Sequence, residues 1–141
     1  MSKNKKTIDY LTEFVNELNG VLSLECVILF GSRARKDYMP YSDVDLIFIG
    51  DFKEKFIKRG AVIYEKFDFR VGLDAFCYTP KEFEKMFQEG IVSILDAIDE
   101  GICLLGRDFF KRYKKKINNL KSKGLRKEPP VWILPKSMSI D

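Results

Sequence analysis

Paired aspartates and a glycine-serine turn are the residues of this chain whose types and spacing could do chemistry. Residues 31–46 read GSRARKDYMPYSDVDL, with Gly31 and Ser32 just after one apolar segment and Asp43 and Asp45 at the start of the next. Two carboxylates at alternate positions of a strand point to one face and can share metal ions. Nucleotidyl transfer needs such positioning and charge compensation. The pattern predicts a site that holds a nucleoside triphosphate through two Mg²⁺ ions.

A third carboxylate should complete the first metal's ligands. Asp74 is the preferred candidate because it lies mid-strand in VGLDAF among apolar neighbours, where an unpaired aspartate would be costly. Asp68 is the weaker alternative.

Phosphate contacts are expected from the turn itself. Gly31 lets the triphosphate approach the backbone, and Ser32 offers a hydroxyl and backbone N–H groups. Arg33 and Arg35 are near enough to add positive charge.

The elements that must position these residues are predicted from hydrophobic periodicity and from turn residues. Strands are predicted at Leu24–Phe30, residues 43–50 and residues 67–78, with a further short strand or core segment in ICLLG, residues 102–106. Helices are predicted at residues 7–20, in a short turn capped by Ser32, around a break near Gly60 within residues 51–66, at residues 80–90 and 91–101, and at residues 107–120.

Composition limits the chemistry further. The chain has 141 residues, 45% of them hydrophobic, and no histidine, so histidine-based catalysis and metal sites are excluded. Cys26, Cys77 and Cys103 lie apart in apolar stretches and are expected to be buried, reduced thiols. No apolar run is long enough to span a bilayer, and a cytoplasmic protein is expected.

The C-terminal part of the chain is basic and then proline-rich. Residues 111–127 contain nine Lys or Arg residues and no acid, which is compatible with nucleic-acid binding, although the solvated face of an amphipathic helix is favoured. Residues 124–141 are predicted to be an ordered extended tail or a docking arm, and the segment around Trp132 is expected to fold back on its own domain. The expected organisation is one domain over residues 1–121 and an extended tail over residues 122–141.

The stretch resembles the GSX10DXD signature of the DNA polymerase β-like nucleotidyltransferases, in particular the small minimal nucleotidyltransferases. Gly31, Ser32, Asp43 and Asp45 match the signature, and LDAFCYTPKEFEKM resembles the strand that carries the third carboxylate, here Asp74. The similarity extends from about Val27 to Gly106. One departure follows GSRAR, where the family most often has glycine and this chain has Lys36, for which altered phosphate contacts are expected.

The resemblance implies the fold and the reaction. The fold is expected to be α/β (α+β), a nucleotidyltransferase-type mixed sheet flanked by helices that lie largely on one side, with a C-terminal helix and an extended tail. The resemblance also implies that ATP or another nucleoside triphosphate is the donor, that Asp43 and Asp45 bind both metals, and that Asp74 binds the catalytic one.

Resemblance to this group further suggests a partner. Such proteins often act as antitoxins that attach AMP to a HEPN-type toxin protein. Two alternatives are a non-catalytic nucleotide- or protein-binding antitoxin or scaffold, and a subunit that modifies RNA ends or a small molecule. An oligomer is possible.

Overall fold

The computed structural model describes residues 3–139, and a four-stranded mixed β-sheet forms its centre. The strands of this sheet are β1 (Leu24–Phe30), β2 (Val44–Gly50), β3 (Leu73–Tyr78) and β4 (Ile102–Leu105), in the spatial order β3-β2-β1-β4. β2 and β3 are parallel, whereas β1 is antiparallel to both β2 and β4. A parallel pair requires a crossover connection, and residues 51–72 supply it.

Helices cover both faces of the sheet. They are α1 (Lys3–Leu18), α2 (Ser32–Arg35), α3 (Ala61–Lys66), α4 (Pro80–Gln88), α5 (Val92–Glu100) and α6 (Arg107–Ser122), with a 3₁₀ turn at Phe56–Lys58. One core forms where α4, α5 and α6 pack on the sheet, and a second core forms where α1 packs on the opposite face. The expectation of helices largely on one side was therefore wrong, whereas the mixed, helix-flanked sheet is confirmed. Because the central strands β1 and β2 are buried on both faces, they read as nearly continuous apolar runs.

Two predicted boundaries were wrong for local reasons. Residues 67–72 form a loop that precedes β3, and its aromatic residues pack sideways: the rings of Phe67 and Phe69 lie 5.9 and 4.5 Å from that of Tyr10 on α1. The aromatic residues at the start of this segment were thus wrongly taken to indicate a strand. Ser32 is the first residue of α2 rather than its N-cap; Gly31 occupies that position, without a side-chain hydrogen bond.

The residues after α6 form a hairpin that packs on the domain. β5 (Arg126–Glu128) pairs with β6 (Val131–Ile133). Part of the tail is therefore a two-stranded antiparallel sheet and not a single extended segment. Leu125 and Trp132 are buried in the same core as α4, α5 and α6, which confirms that the segment around Trp132 folds back.

The cysteines and the helices bear on the remaining expectations. All three cysteines are free thiols; Cys26 and Cys77 are buried as predicted, whereas Cys103 is partly exposed. Within residues 3–139, no helix has both the length and the apolar character that a membrane span requires.

Candidate active site

Strand register brings two of the predicted carboxylates side by side. Asp45 is the second residue of β2, and its partner across the parallel ladder is Asp74, the second residue of β3. Residues paired in register on neighbouring strands have their backbones about 4.8 Å apart and point to the same face. On the other side of Asp45, the antiparallel ladder places Phe30, the last residue of β1. The candidate site is therefore the end of the sheet where β1 finishes and β2 and β3 begin.

The site is open to solvent on its β3 side. β3 is an edge strand, and both Asp74 and Phe76 on one of its faces are exposed, Phe76 to 36%. The ring of Phe76 meets that of Phe30 edge to face at 5.8 Å, above the strand between them. The apolar surroundings expected for Asp74 were wrong, because strand alternation turns its carboxylate outward. Its place beside Asp45 depends on register and not on burial.

The electrostatics of the site centre on Asp45. Its side chain is half-buried, and burial, the neighbouring charge of Asp74 and the charge of Asp43 together raise its pKa to about 6. The positive charge of Arg35 acts in the opposite direction. Like charges that converge on one partly desolvated point favour protonation in the free protein, and a cation at that point would relieve the repulsion.

Two glycines make room for the carboxylates. Gly31 has a positive φ of 77°, and a Cβ at that position would collide with Oδ2 of Asp45. A Cβ on Gly72 would lie 2.6 Å from Oδ1 of Asp43. The two glycines thus let the backbone lie directly against the carboxylates. Sequence reasoning found Gly31 but missed Gly72, although its position just before LDAF could have signalled it.

The two predicted arginines have different surroundings. Arg33 is 1% exposed, and its guanidinium donates hydrogen bonds to the carbonyl oxygens of Ser42 at 3.1 Å and Pro40 at 3.5 Å. It also lies 4.6 Å from the ring centroid of Tyr38. Arg33 therefore holds the turn that leads into Asp43, and its charge interacts with that of Asp43. A contact between Arg33 and phosphate stays a prediction.

Arg35 has an exposed side chain and a charge that acts on the site. Its Nε donates to Oδ2 of Asp37 at 3.2 Å, and its Nη1 lies 3.6 Å from Oε1 of Glu100. Ser32 is partly exposed at the start of the same short helix. Ser32 and Arg35 therefore remain available for phosphate contacts.

Lys36 ends the short helix α2 in a backbone conformation that favours glycine. It is the C-cap of α2 and adopts a left-handed conformation with φ 70° and ψ 19°. Residues with a side chain are strained there, which is the ordinary reason for a glycine just after a helix. The expected effect of Lys36 on phosphate contacts stays a prediction.

Asp68 lies apart from the convergent carboxylates. It is in the loop before β3, where its backbone N–H donates to the hydroxyl of Tyr10 at 2.9 Å. Its charge is not among those that shift the pKa of Asp45.

A divalent cation fits the donor set in part. The oxygens of Asp43, Asp45 and Asp74 are the ligands that Mg²⁺ prefers, and the charges of Asp74 and Asp43 add to the effect of burial in raising the pKa of Asp45. However, within residues 3–139 no three acidic, cysteine or histidine side chains already surround one point at metal-binding distance. Asp45 and Asp74 form the assembled pair, and Asp43 stands at the head of β2 beside Gly72.

A helix-flanked mixed sheet with paired carboxylates opposite a glycine-serine turn defines a class of group-transferring proteins. The model of the nucleotidyltransferase domain family matches residues 8–137, so the chain belongs to that family and is a nucleotidyltransferase. The match confirms the resemblance to the nucleotidyltransferases.

Two solved structures are similar to this chain. A candidate nucleotidyltransferase from Sulfolobus solfataricus, determined at 1.40 Å resolution, is 20% identical with a TM-score of 0.51; the alignment covers 71% of this chain and 80% of that one. This likeness confirms the fold. A toxin-antitoxin structure with AMP-PNP is 12% identical with a TM-score of 0.49, and its alignment covers 79% of this chain and 86% of that one. No curated protein sequence matches the chain.

Proposed function

We propose that this nucleotidyltransferase is Mg²⁺-dependent, uses ATP as its donor, and transfers AMP to a hydroxyl acceptor with release of pyrophosphate. The observation that carries the proposal is the in-register pair of Asp45 and Asp74 beside Gly31, at an open end of the sheet. A half-buried carboxylate with a raised pKa next to a second carboxylate is typical of a functional site.

Each residue has a role in this proposal. Asp43 and Asp45 would hold two Mg²⁺ ions, and Asp74 would hold one of them. When bound, the ions offset the charge of the triphosphate and activate the acceptor oxygen. Asp74 is also exposed on the edge strand and can take the proton of the acceptor hydroxyl.

The remaining contacts come from the turn and from α2. Gly31 allows the triphosphate to approach the backbone, while Ser32 and Arg35 contact its oxygens. Arg33 holds the turn before Asp43 and adds positive charge near the site.

The acceptor is proposed to be a hydroxyl on a second protein, a HEPN-type toxin, with this chain acting as its antitoxin. The resemblance to minimal nucleotidyltransferases supports this choice. An exposed edge strand that carries Asp74 and Phe76 gives a macromolecular acceptor direct access. The free thiols of all three cysteines support a reaction in the cytoplasm.

Titration calorimetry tests the donor site. ATP is titrated into the wild type with Mg²⁺ and with EDTA, and the same titration is run on Asp45→Asn and Asp68→Asn. We expect Mg²⁺-dependent binding in the wild type and in Asp68→Asn, and its loss in Asp45→Asn, because only the latter removes one of the convergent carboxylates. Equal binding by the two variants would contradict the metal assignment.

Transfer is tested with ATP that is labelled on the α or the γ phosphate, in the presence of a purified HEPN-type protein. Label should reach that protein from the α position and not from the γ position. If ATP binds and no label moves to the protein, to RNA or to a small hydroxyl compound, the non-catalytic antitoxin becomes the better account.

A further inference from the structure

A chain of charged contacts connects Arg35 with the C-terminal hairpin. Nη1 of Arg35 lies 3.6 Å from Oε1 of Glu100, and the same oxygen accepts a hydrogen bond from Nζ of Lys127 at 3.1 Å. Nζ of Lys127 also donates to Oδ1 of Asp96 at 2.7 Å, and Nε1 of Trp132 donates to that oxygen at 2.9 Å. The contacts therefore run from α2 through α5 to both strands of the hairpin.

The residues in this series of contacts become more buried with distance from the candidate site. The side chains of Lys127 and Asp96 are 19% and 18% exposed, whereas those of Glu100 and Arg35 are 26% and 38% exposed. Ion pairs that are shielded from water are screened less by salt than surface pairs. The more buried pair of Lys127 and Asp96 can therefore act as a fixed support for Glu100 and Arg35.

Glu100 has a fixed place because of the element that carries it. It is the last residue of α5, and Gly101 follows it against the sheet, where a Cβ would lie 2.6 Å from Cγ2 of Ile28. β4 then begins at Ile102, which pairs with Leu29 near the end of β1. The carboxylate of Glu100 is thereby held at the end of the sheet where the candidate site lies.

Arg35 needs such a support. A long arginine side chain on the surface has many rotamers, and fixing one of them costs conformational entropy. Glu100 and Asp37 restrict the guanidinium from two sides, while its charge still reaches Asp45.

We propose that Glu100, supported by Lys127, is a positioning residue that holds Arg35 for the triphosphate, and that nucleotide binding is thereby coupled to the C-terminal hairpin. The proposal rests on the proposed donor site. It adds α5 and the hairpin to the elements that determine nucleotide affinity.

Nucleotide affinity provides the first test. Glu100→Gln keeps the size of the side chain and removes its charge, and it should weaken Mg²⁺-ATP binding by about three- to tenfold, the effect of one charge-assisted contact. Lys127→Met should give a smaller loss. Asp99→Asn is the matched control, because Asp99 is adjacent on α5 and pairs with Lys121 instead. In an Arg35→Gln background, Glu100→Gln should cause no further loss.

Trp132 provides the second readout because it is the only tryptophan of the chain. Saturation with Mg²⁺-ATP should shift its emission in the wild type and in Asp99→Asn, and the shift should be lost in Glu100→Gln at saturating nucleotide. ATP binding by calorimetry without any emission change in the wild type would overturn the coupling to the hairpin.

A measurement without nucleotide separates this inference from the donor site. The ¹⁵N heteronuclear NOE of the Arg35 Nε–H group should fall in Glu100→Gln and stay at the wild-type value in Asp99→Asn. An unchanged NOE, or additive losses of affinity in the double variant, would overturn the positioning role. Absence of ATP binding by the wild type would overturn the donor site and, with it, the nucleotide part of this inference.

Discussion

Asp45 is a residue at which like charges repel one another in the free protein. Its carboxylate is half-buried next to Asp74, and its pKa is raised to about 6. A cation would convert this repulsion into attraction, so its cost to the free protein should be measurable.

The stability of the metal-free protein should therefore depend on pH through Asp45. The pKa of an aspartate in the unfolded state is about 3.9. Because the pKa of Asp45 is higher in the folded state, its contribution to stability is fully present below the unfolded-state pKa and is lost as pH rises through the folded-state pKa. In EDTA, Asp45→Asn should equal the wild type near pH 4 and exceed it by about 1–2 kcal/mol at pH 7, after allowance for partial exposure.

Urea unfolding at both pH values measures this difference. Asp68→Asn, which lies outside the convergent set, should show no such pH-dependent gain over the wild type. A stability difference between Asp45→Asn and the wild type that stays constant with pH would contradict the electrostatic account of Asp45.

Lys36 should be a point of backbone strain that a single substitution relieves. A left-handed conformation costs a residue with a side chain roughly 1–2 kcal/mol, and glycine's greater freedom in the unfolded chain offsets part of the gain. Lys36→Gly should raise the free energy of unfolding by about 0.5–1 kcal/mol. Lys36→Ala, which removes the charge but keeps Cβ, is the control and should give no gain in the same denaturation experiment.

Single residues also show how far sequence reasoning reached within the site. The alternation of DVD was anticipated from the sequence, whereas the parallel register that pairs Asp45 with Asp74 is known only from the structure. The surroundings of Arg33 could not be anticipated, because its partners are carbonyl oxygens of a turn whose path depends on tertiary packing. Which residues hold metal and phosphate stays a prediction.

At the scale of elements, the start of α4 combines several capping interactions. Thr79 and Glu82 form a reciprocal capping box: Oγ1 of Thr79 accepts from the Glu82 N–H at 3.2 Å, and Oε1 of Glu82 accepts from the Thr79 N–H at 2.8 Å. Pro80 occupies the first turn. Arg59 pairs with Glu82 at 2.5 Å and lowers its pKa, so the cap ties the crossover to α4.

Removal of the capping hydroxyl should destabilise the whole fold by a measurable amount. Thr79→Ala leaves the N–H of Glu82 without its acceptor and should cost about 1 kcal/mol. Thr79→Ser keeps the oxygen and should cost much less. Thermal unfolding of both variants distinguishes the cap from a simple loss of volume, because equal destabilisation by Ser and Ala would exclude the hydrogen bond as the cause.

Elements were predictable where one periodic signal dominated. The apolar stripe predicted for α6 was Phe110, Tyr113, Ile117 and Leu120. The last three are buried, whereas Phe110 is partly exposed and Phe109 is buried. The residues around Pro80 do begin a helix. The loop of residues 67–72 was missed because its aromatic residues serve contacts with α1, which are distant in sequence. The two-sided cover of the sheet was missed for the same reason, since a buried strand does not reveal which helix covers each face.

At the scale of the whole molecule, several of the basic residues in the segment 111–127 form ion pairs within the domain. Lys116 pairs with Glu84, Lys121 with Asp99, and Lys127 with Asp96 and Glu100. These contacts connect α6 and the hairpin to α4 and α5. Fewer Lys and Arg side chains are therefore free to bind a nucleic-acid backbone than the sequence alone suggests. The interpretation of this run as the solvated face of an amphipathic helix is still favoured.

The organisation of the chain can be tested through Trp132. We propose that the segment after residue 121 is an integral part of the domain, because Trp132 is 8% exposed and lies in the core formed by α4, α5 and α6. Trp132→Ala should lower the free energy of unfolding by about 3 kcal/mol, as expected for loss of a buried aromatic side chain. Val131→Ala, at a neighbouring position that is 51% exposed, is the control and should change it by less than about 0.5 kcal/mol. If the tail were a separate arm, both variants would unfold with the wild-type midpoint. A single cooperative transition that is displaced only by Trp132→Ala would show that the hairpin and the four-stranded sheet unfold together.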